Sequence, residues 1–342
     1  MIAKVLDWLG FGSHGDSYGE HGHTHHGAHG HIHGVLDPTI STTDRGIWAI
    51  KWSFLILAVT ATLQLIVVFV SHSVALFADT IHNIADAGTA IPLWVAFALA
   101  RRKATETFTY GYGRVEDFAG LIIVLIILSS ALVAGYEAID RIIHPRPVTQ
   151  LGWLAAAGVI GFLGNEAVAV FRIRVGRQIN SAALIADGYH ARTDGLTSLA
   201  VVLGALGVWL GYTLADPIIG LIITVVILGI VWQSAKAVLT RMLDGVERPT
   251  IGELRHAAQY AKGVLGVEWV RARWLGHRLQ AEMRLAVDPT LSLADARKIA
   301  HDIEEHARAH LPALERLLVE TVPASGRERS ERHPQAKHQH HH

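Results

Sequence analysis

Long apolar segments are the feature that most limits what this chain can fold into. Four of them match the roughly 20 residues that a helix needs to cross a bilayer. They span 47–70, 118–138, 151–171 and 217–238. Two further apolar segments, 73–100 and 179–210, carry His and Asp inside them. Because only helices and closed barrels satisfy their backbone in lipid, we predict an α-helical polytopic membrane protein with six transmembrane helices.

Composition supports this class and excludes others. The chain is 51% hydrophobic and 18% charged, whereas a soluble domain carries about 25% charged residues. Its net charge is zero with neutral His, which argues against a nucleic-acid partner. It has no Cys, which excludes disulfides, thiolate metal sites and thiol catalysis.

Basic residues predict the orientation in the membrane, because Lys and Arg mark cytoplasmic loops. The loops after the second and fourth predicted spans carry Arg101, Arg102, Lys103, Arg114, Arg172, Arg174 and Arg177. The opposite side carries only Arg141 and Arg146. We therefore expect a multi-pass protein with both termini cytoplasmic. The membrane is expected to be the plasma (inner) membrane of a prokaryote.

Four regions follow along the chain. Residues 1–46 form a His-rich N-terminus predicted to be disordered, and 47–244 hold the six transmembrane helices. Residues 245–323 have the pattern α-β-β-α-β of a small cytoplasmic α+β domain, ferredoxin-like in order. Its strands are expected at 267–275, 279–287 and 314–322, with helices opening near Thr250 and at Ser292. Residues 324–342 are predicted to be a disordered tail.

One motif, A-D-x-x-H-x-x-x-D, occurs twice within the predicted spans. Its copies supply Asp79, His82 and Asp86 in the second span, and Asp187, His190 and Asp194 in the fifth. The offsets i, i+3 and i+7 fall on one face of a helix. Each span therefore directs one His and two Asp to one side.

Both copies are predicted to lie near the membrane centre. At 1.5 Å per residue, His82 is about 15 Å from the outer end of its helix and His190 about 20 Å from the inner end. The sum compares well with a hydrocarbon core of about 30 Å. Polar groups at that depth line an ion path or pair with one another. The alternative is that each Asp pairs with a His or with Arg192 and only holds helices together.

Two imidazoles and two carboxylates suit a tetrahedral Zn²⁺ site, with Co²⁺ tolerated. We assign the ligand role to the i, i+4 pairs, His82 with Asp86 and His190 with Asp194. Asp79 and Asp187 lie one turn away and are interpreted as supporting or pathway groups.

These motifs, together with the segment Tyr110–Glu116 (YGYGRVE) and the α-β-β-α-β tail, resemble the cation diffusion facilitator family of proton-coupled zinc transporters. The resemblance implies a homodimer that exports metal from the cytosol in exchange for protons, with a cytoplasmic domain for metal regulation and dimerisation. It places the central metal site on His82, Asp86, His190 and Asp194. It also implies that Arg114 pairs with Asp244 near the dimer interface.

The chain departs from that family pattern at two places. Phe108 and Tyr112 stand where some bacterial members have His ligands, so no metal site is predicted in that loop. In the cytoplasmic domain, the positions that often bind metal correspond to Glu268, Glu282 and Glu320. His277 and Glu282 are the candidate ligands for a cytoplasmic site there.

The N-terminal region is dense in histidine and glycine and cannot bury a core. Its histidines are His14, His21, His23, His25, His26, His29, His31 and His33. Such a segment suits weak, adaptable metal binding near the cytoplasmic mouth of a transporter. The alternative is a tolerated tail with incidental affinity.

The combined expectation is a transporter rather than an enzyme. Its cargo would be Zn²⁺, with Co²⁺, Ni²⁺, Fe²⁺ and Mn²⁺ as alternatives, and its partners protons, the lipid bilayer and a second copy. One rival is an intramembrane metalloenzyme, for which Glu166 is the candidate base. The other is a membrane metal sensor.

Overall fold

The computed structural model describes residues 38–71, 88, 90–144, 151–212, 214–259 and 261–324. They belong to two compact units. The first comprises Met1–Arg102 with Phe118–Val238, and the second Lys103–Asp117 with Leu239–His342. The histidine-rich N-terminus and the C-terminal tail lie outside the described residues.

Helices make up the described part of the first unit, and the third and sixth of them have one end in the second unit. They are α1 (Pro38–Ser71), α2 (Ala90–Ala100), α3 (Arg114–Ile143), α4 (Leu151–Gln178), α5 (Ala182–Trp209) and α6 (Ala215–Met242). Among the described residues, five helices are long and apolar enough to cross a membrane, and α2 is a shorter apolar helix. Helix α2 is the only described helical part of the second predicted span.

The outer surfaces of these helices are apolar as well. Phe69, Val225 and Trp232 are 73%, 69% and 75% exposed. A soluble monomer rarely exposes contiguous apolar surface on this scale, whereas a helix in lipid gains by it. The polytopic helical fold predicted from the sequence is confirmed.

Two predicted boundaries are wrong. Helix α1 begins at Pro38, inside the segment 1–46 predicted to be disordered, and proline is favoured in the first turn of a helix. Helix α4 continues to Gln178, so Arg172 and Arg174 are helical rather than loop residues. The lengths of the apolar segments underestimate the lengths of both helices, because a transmembrane helix can extend beyond its hydrophobic part.

The second unit contains the predicted α+β order. Its elements are α7 (Arg248–Gln259), β1 (Val264–Leu275), β2 (Arg278–Val287), α8 (Leu293–His310) and β3 (Leu314–Pro323). The sheet order is β1-β2-β3, with β1 antiparallel and β3 parallel to β2. The parallel pair requires the crossover that α8 supplies. The core includes Leu254, Leu279, Met283, Ile303 and Leu314.

Candidate metal site

The second copy of the motif lies on one buried face of α5. The helix starts after Ser181, whose hydroxyl accepts a hydrogen bond from the Leu184 amide at 3.0 Å. Asp187 and His190 are 0% and 1% exposed, and the Asp194 side chain is 14% exposed. The three polar side chains therefore lie inside the first unit.

Helices α4 and α5 pack closely because glycines line their contact. A turn at 179–181 joins them, so they run antiparallel. A Cβ on Gly188 would lie 3.0 Å from the backbone nitrogen of Ile173, and a Cβ on Gly176 equally close to that of Ile185. Real Cβ atoms are seldom that close to backbone. Because glycine has no side chain, α4 can lie close enough to contact the polar face of α5.

Arg172 of α4 is the partner of Asp187. Its Nη1 lies 3.0 Å from Oδ2 of Asp187, and both side chains are buried. The pattern of basic residues predicts Arg172 in a loop, and the alternative for the motif aspartates pairs them with His or with Arg192. Asp187 pairs instead with Arg172, because α4 extends through that residue and presents its guanidinium to α5. The partner named in the alternative is wrong, whereas the expectation that the aspartate holds helices together agrees with this contact. Among the described residues, Nε and Nη2 of Arg172 and both carboxylate oxygens of Asp187 have no hydrogen-bond partner, so the contact is an ion pair without hydrogen-bond geometry.

A second ion pair joins the same two helices. Arg192 donates to Glu166 from Nη2 at 2.7 Å and from Nε at 3.1 Å. This two-point contact is the geometry in which guanidinium and carboxylate bind most strongly. Glu166, the candidate base of the metalloenzyme alternative, therefore takes part in an ion pair.

Among the described residues, His190 has no ionic contact as short as those of these two pairs. Within the described part of the chain, neither of its ring nitrogens has a hydrogen-bond partner. Its Nδ1 lies 3.7 Å from Oδ1 of Asp194, beyond hydrogen-bond range. Buried polar atoms without partners are costly and rare in folded proteins. A buried imidazole beside a carboxylate is the arrangement that a divalent metal can complete.

The described residues cover only the α5 part of the predicted four-ligand site. His190 and Asp194 are brought together, whereas Asp79, His82 and Asp86 lie outside the described residues. No group of three or more His, Asp or Glu in the described ranges is arranged to hold a metal. A complete site on α5 alone is thus not formed.

The two candidate ligands in the cytoplasmic domain lie apart. His277 is buried in the β1–β2 turn, with Nδ1 at 2.7 Å from Oε2 of the buried Glu116. Glu282 is opposite Arg271 in the middle of the sheet. At about 3.3 Å per strand residue, some 15 Å separate the two positions. The structure does not bring His277 and Glu282 to a common ion.

The other carboxylates suggested for that domain face an arginine. Arg284 Nε lies 2.8 Å from Glu320, and Arg284 Nη1 lies 3.9 Å from Glu268. The hydrogen bond to Glu320 raises the pKa of the Arg284 guanidinium above its usual value. A fixed cation between two carboxylates disfavours a metal ion at the same place.

Arg114 contacts the Asp244 carboxylate, as the sequence comparison with the family suggests. It also donates to the carbonyl of Met242 at 3.0 Å, where α6 ends with orphan carbonyls. Asp244 has a φ of 59°, a left-handed conformation at the helix end. The pair thus stabilises the end of α6 within one chain, and its role at a dimer interface stays a prediction.

The loop before α3 has aromatic rather than metal-binding side chains. The rings of Phe108 and Tyr112 have centroids 4.9 Å apart, and the Arg273 guanidinium stacks over Tyr110 at 4.6 Å. This aromatic pair therefore occupies the two positions at which some bacterial family members have His ligands.

Known proteins resemble this chain, the two efflux proteins below over most of its length and the solved structure over the cytoplasmic part only. A probable cation efflux system protein of Mycobacterium tuberculosis (strain ATCC 25618 / H37Rv) is 53% identical over 289 residues, covering 84% of this chain and 87% of that protein. The manganese efflux system protein MneS of Bacillus subtilis (strain 168) is 24% identical over 269 residues, covering 75% and 92%. A solved MamM CTD variant in a cadmium form is 27% identical, with a TM-score of 0.22 over 23% of this chain and 98% of that one.

Two family models together span both units. The cation efflux transmembrane domain matches residues 50–243, and the cation efflux protein cytoplasmic domain matches 246–323. The first match alone covers more than half of the chain. This chain therefore belongs to the cation efflux (cation diffusion facilitator) family and is a multi-pass membrane transporter of cations.

Proposed function

We propose that the chain exports a divalent transition metal, with Zn²⁺ as its main cargo, in exchange for protons. His82, Asp86, His190 and Asp194 hold the ion, and the site opens alternately to either side of the membrane. The observation that carries this proposal is the buried His190 imidazole, whose nitrogens lack hydrogen-bond partners among the described residues while Asp194 lies one turn away.

The donor atoms favour zinc over harder ions. Imidazole suits Zn²⁺, Co²⁺ and Ni²⁺, whereas Mn²⁺ prefers carboxylate, carbonyl and water oxygens. The chain has no Cys, which leaves no thiolate for soft Cu⁺. Because one relative is named a manganese efflux protein, Mn²⁺ is the principal competing cargo and belongs in every transport assay.

Histidine also supplies the coupling to protons. Its unperturbed pKa of about 6.5 lies near physiological pH, and only the neutral imidazole binds metal. On the cytosolic side, the imidazoles of His82 and His190 bind the ion. Protons that enter from the more acidic side compete for the same nitrogens and promote release. The proposed exchange follows from this competition.

We propose that the chain works as a membrane-embedded homodimer, which the match to the cation efflux protein cytoplasmic domain supports. The proposed orientation has both termini in the cytoplasm of a prokaryote, with the transporter in the inner membrane. The cytoplasmic unit serves dimerisation, with the Arg114–Asp244 pair near the interface. Asp79 is proposed to line the path of the ion rather than to bind it at the central site.

Reconstituted vesicles test the transport proposal. Liposomes that contain the protein and a trapped zinc dye are given an opposing pH gradient, and dye fluorescence is followed after addition of Zn²⁺ or Mn²⁺. Wild-type protein should accumulate Zn²⁺ only with the gradient, and His190→Ala should lose this uptake. His301→Ala is the matched control, because that histidine is 65% exposed on α8.

Two results would contradict the proposal. Undiminished uptake by His190→Ala would remove this residue from the ion path. Uptake that ignores the proton gradient would remove the exchange mechanism. Deletion of residues 1–34 addresses the sensor alternative, since a transporter keeps its flux without them and a sensor loses its response.

A further inference from the structure

Asp187 lies where it could bind the transported ion. It precedes His190 by three residues on the same face of α5, a rise of about 4.5 Å along the helix axis. A carboxylate one turn away can approach an ion held by that imidazole. With Asp194 one turn further on, α5 alone would then offer one nitrogen and two carboxylates, an oxygen-rich ligand set.

Arg172 forms an ion pair with one oxygen of this carboxylate, although neither Asp187 oxygen has a hydrogen-bond partner among the described residues. Its Nη1 lies 3.0 Å from Oδ2 of Asp187, with the side chains 2% and 0% exposed. Charges so deeply buried interact strongly, because water screens them little. Helix α4 packs closely against α5 next to this pair, since a Cβ on Gly188 would lie 3.0 Å from the backbone nitrogen of Ile173. Asp187 and Arg172 therefore form an ion pair on the face of α5 that carries His190.

The Glu166–Arg192 pair provides an internal comparison. It joins the same two helices and is similarly shielded, with side chains 16% and 6% exposed. Arg192 follows His190 by two residues, which turns it about 200° around the helix, away from the motif face. Both pairs hold α4 to α5, but only Arg172 controls a carboxylate on the face that carries His190.

We propose that Arg172 is a specificity-determining residue that holds Asp187 away from the transported ion. The ion then meets His190 and Asp194 on α5 without a second carboxylate from that helix, which suits Zn²⁺. Release of Asp187 would add an oxygen ligand and favour Mn²⁺, which prefers oxygen-rich six-coordinate sites. This inference rests on the proposed function, and it deepens the account of the same site.

Transport kinetics of single variants test the proposal in full-length protein in liposomes. Arg172→Gln should lower the ratio of the KM for Mn²⁺ to the KM for Zn²⁺ by about tenfold, the usual scale for groups that orient metal ligands. Arg192→Gln is the matched control and should leave that ratio unchanged. An unchanged ratio in Arg172→Gln, or an equal shift in Arg192→Gln, would overturn the proposal.

Two further variants keep the test decisive if Arg172→Gln folds poorly. Arg172→Lys keeps the charge on a shorter side chain and should shift the ratio in the same direction by less. Arg172→Gln/Asp187→Asn leaves no unpaired charge and no additional ligand, so its KM for Zn²⁺ should return to the wild-type range. A KM for Zn²⁺ raised tenfold or more in the double variant would mean that Asp187 itself binds the ion.

His190→Ala, measured in parallel, separates this inference from the proposed function. Undiminished transport by His190→Ala would refute the site and the role of Arg172 together. Loss of transport in His190→Ala, with an unchanged metal ratio in both Arg172→Gln and Arg172→Lys, would refute only the role of Arg172.

Discussion

Two buried histidines in this chain have opposite surroundings. His190 in α5 is 1% exposed and His277 in the β1–β2 turn is 3% exposed. His277 has a carboxylate oxygen of Glu116 at 2.7 Å, whereas neither nitrogen of His190 has a hydrogen-bond partner among the described residues. His277 therefore has the surroundings of a structural histidine, whereas those of His190 suit a histidine that binds a ligand.

The difference teaches that burial alone does not identify a ligand. A buried imidazole that contacts a carboxylate contributes to stability. If the imidazole is removed, the carboxylate stays buried with one favourable contact fewer. A buried imidazole without a partner costs stability, which a bound ion can offset. We therefore expect substitutions at the two positions to have opposite effects on transport and on folding.

The largest effect is expected for His190→Ala. Zinc uptake should fall by about 100-fold, the upper range for loss of a group that controls metal affinity. Folding should change little, because no hydrogen bond among the described residues is lost. Proteoliposome flux and the thermal midpoint of the metal-free protein in detergent measure the two quantities. A large drop in the thermal midpoint with residual flux would reverse the assignment.

His277→Ala should have the opposite effect. The buried Glu116 carboxylate loses its contact with the His277 ring, and loss of a hydrogen bond to a charged group costs about 1.5–3 kcal/mol. The free energy of unfolding should fall by this order, while the flux per folded molecule is retained. The double variant His277→Ala/Glu116→Gln should recover part of the stability. Equal instability of single and double variants would show that the two side chains are not coupled.

Asp244 allows conformation and charge to be separated. Its left-handed φ of 59° costs a residue with a Cβ about 1–2 kcal/mol, which glycine avoids. Asp244→Ala should therefore destabilise the protein more than Asp244→Gly, although both lose the contact with Arg114. Chemical denaturation of the two variants gives the comparison. Equal losses would assign the whole effect to the ion pair.

The smallest effects are expected at two helix caps. Ser181 and Ser292 each accept a hydrogen bond from a backbone amide, at 3.0 and 3.1 Å. Loss of such a cap costs about 1 kcal/mol. Ser181→Ala should cost more than Ser292→Ala, because Ser181 is fully buried and water cannot replace it. The reverse order in thermal unfolding would contradict this account.

The cytoplasmic unit could be predicted closely from sequence because its signals are local. Alternating apolar residues and a short turn at Gly276 indicate both strands of the hairpin, and Ser292 caps α8 as expected. The start of α7 was placed two residues late, at Thr250 instead of Arg248. Pro249 was the neglected signal, since proline favours the first turn of a helix.

The candidate site could be predicted only in part. Spacing along one helix gave Asp187, His190 and Asp194, since these residues share a face whatever surrounds them. The residues that they contact depend on how α4 packs on α5, and this packing cannot be predicted from the spacing of residues along one helix. Arg172 was missed because a basic residue after an apolar run normally indicates a loop. The contact of His277 with Glu116 joins residues far apart in sequence and has no signal of this kind.

Zinc binding to the purified chain, shortened by residues 1–34 and 325–342 to remove both histidine-rich ends, tests the central claim most directly. Equilibrium titration near neutral pH would compare wild-type protein with His190→Ala and His277→Ala. The account predicts that His190→Ala loses the tightly bound ion and that folded His277→Ala keeps it. Retention of the ion by His190→Ala, or its loss from folded His277→Ala, would contradict the account.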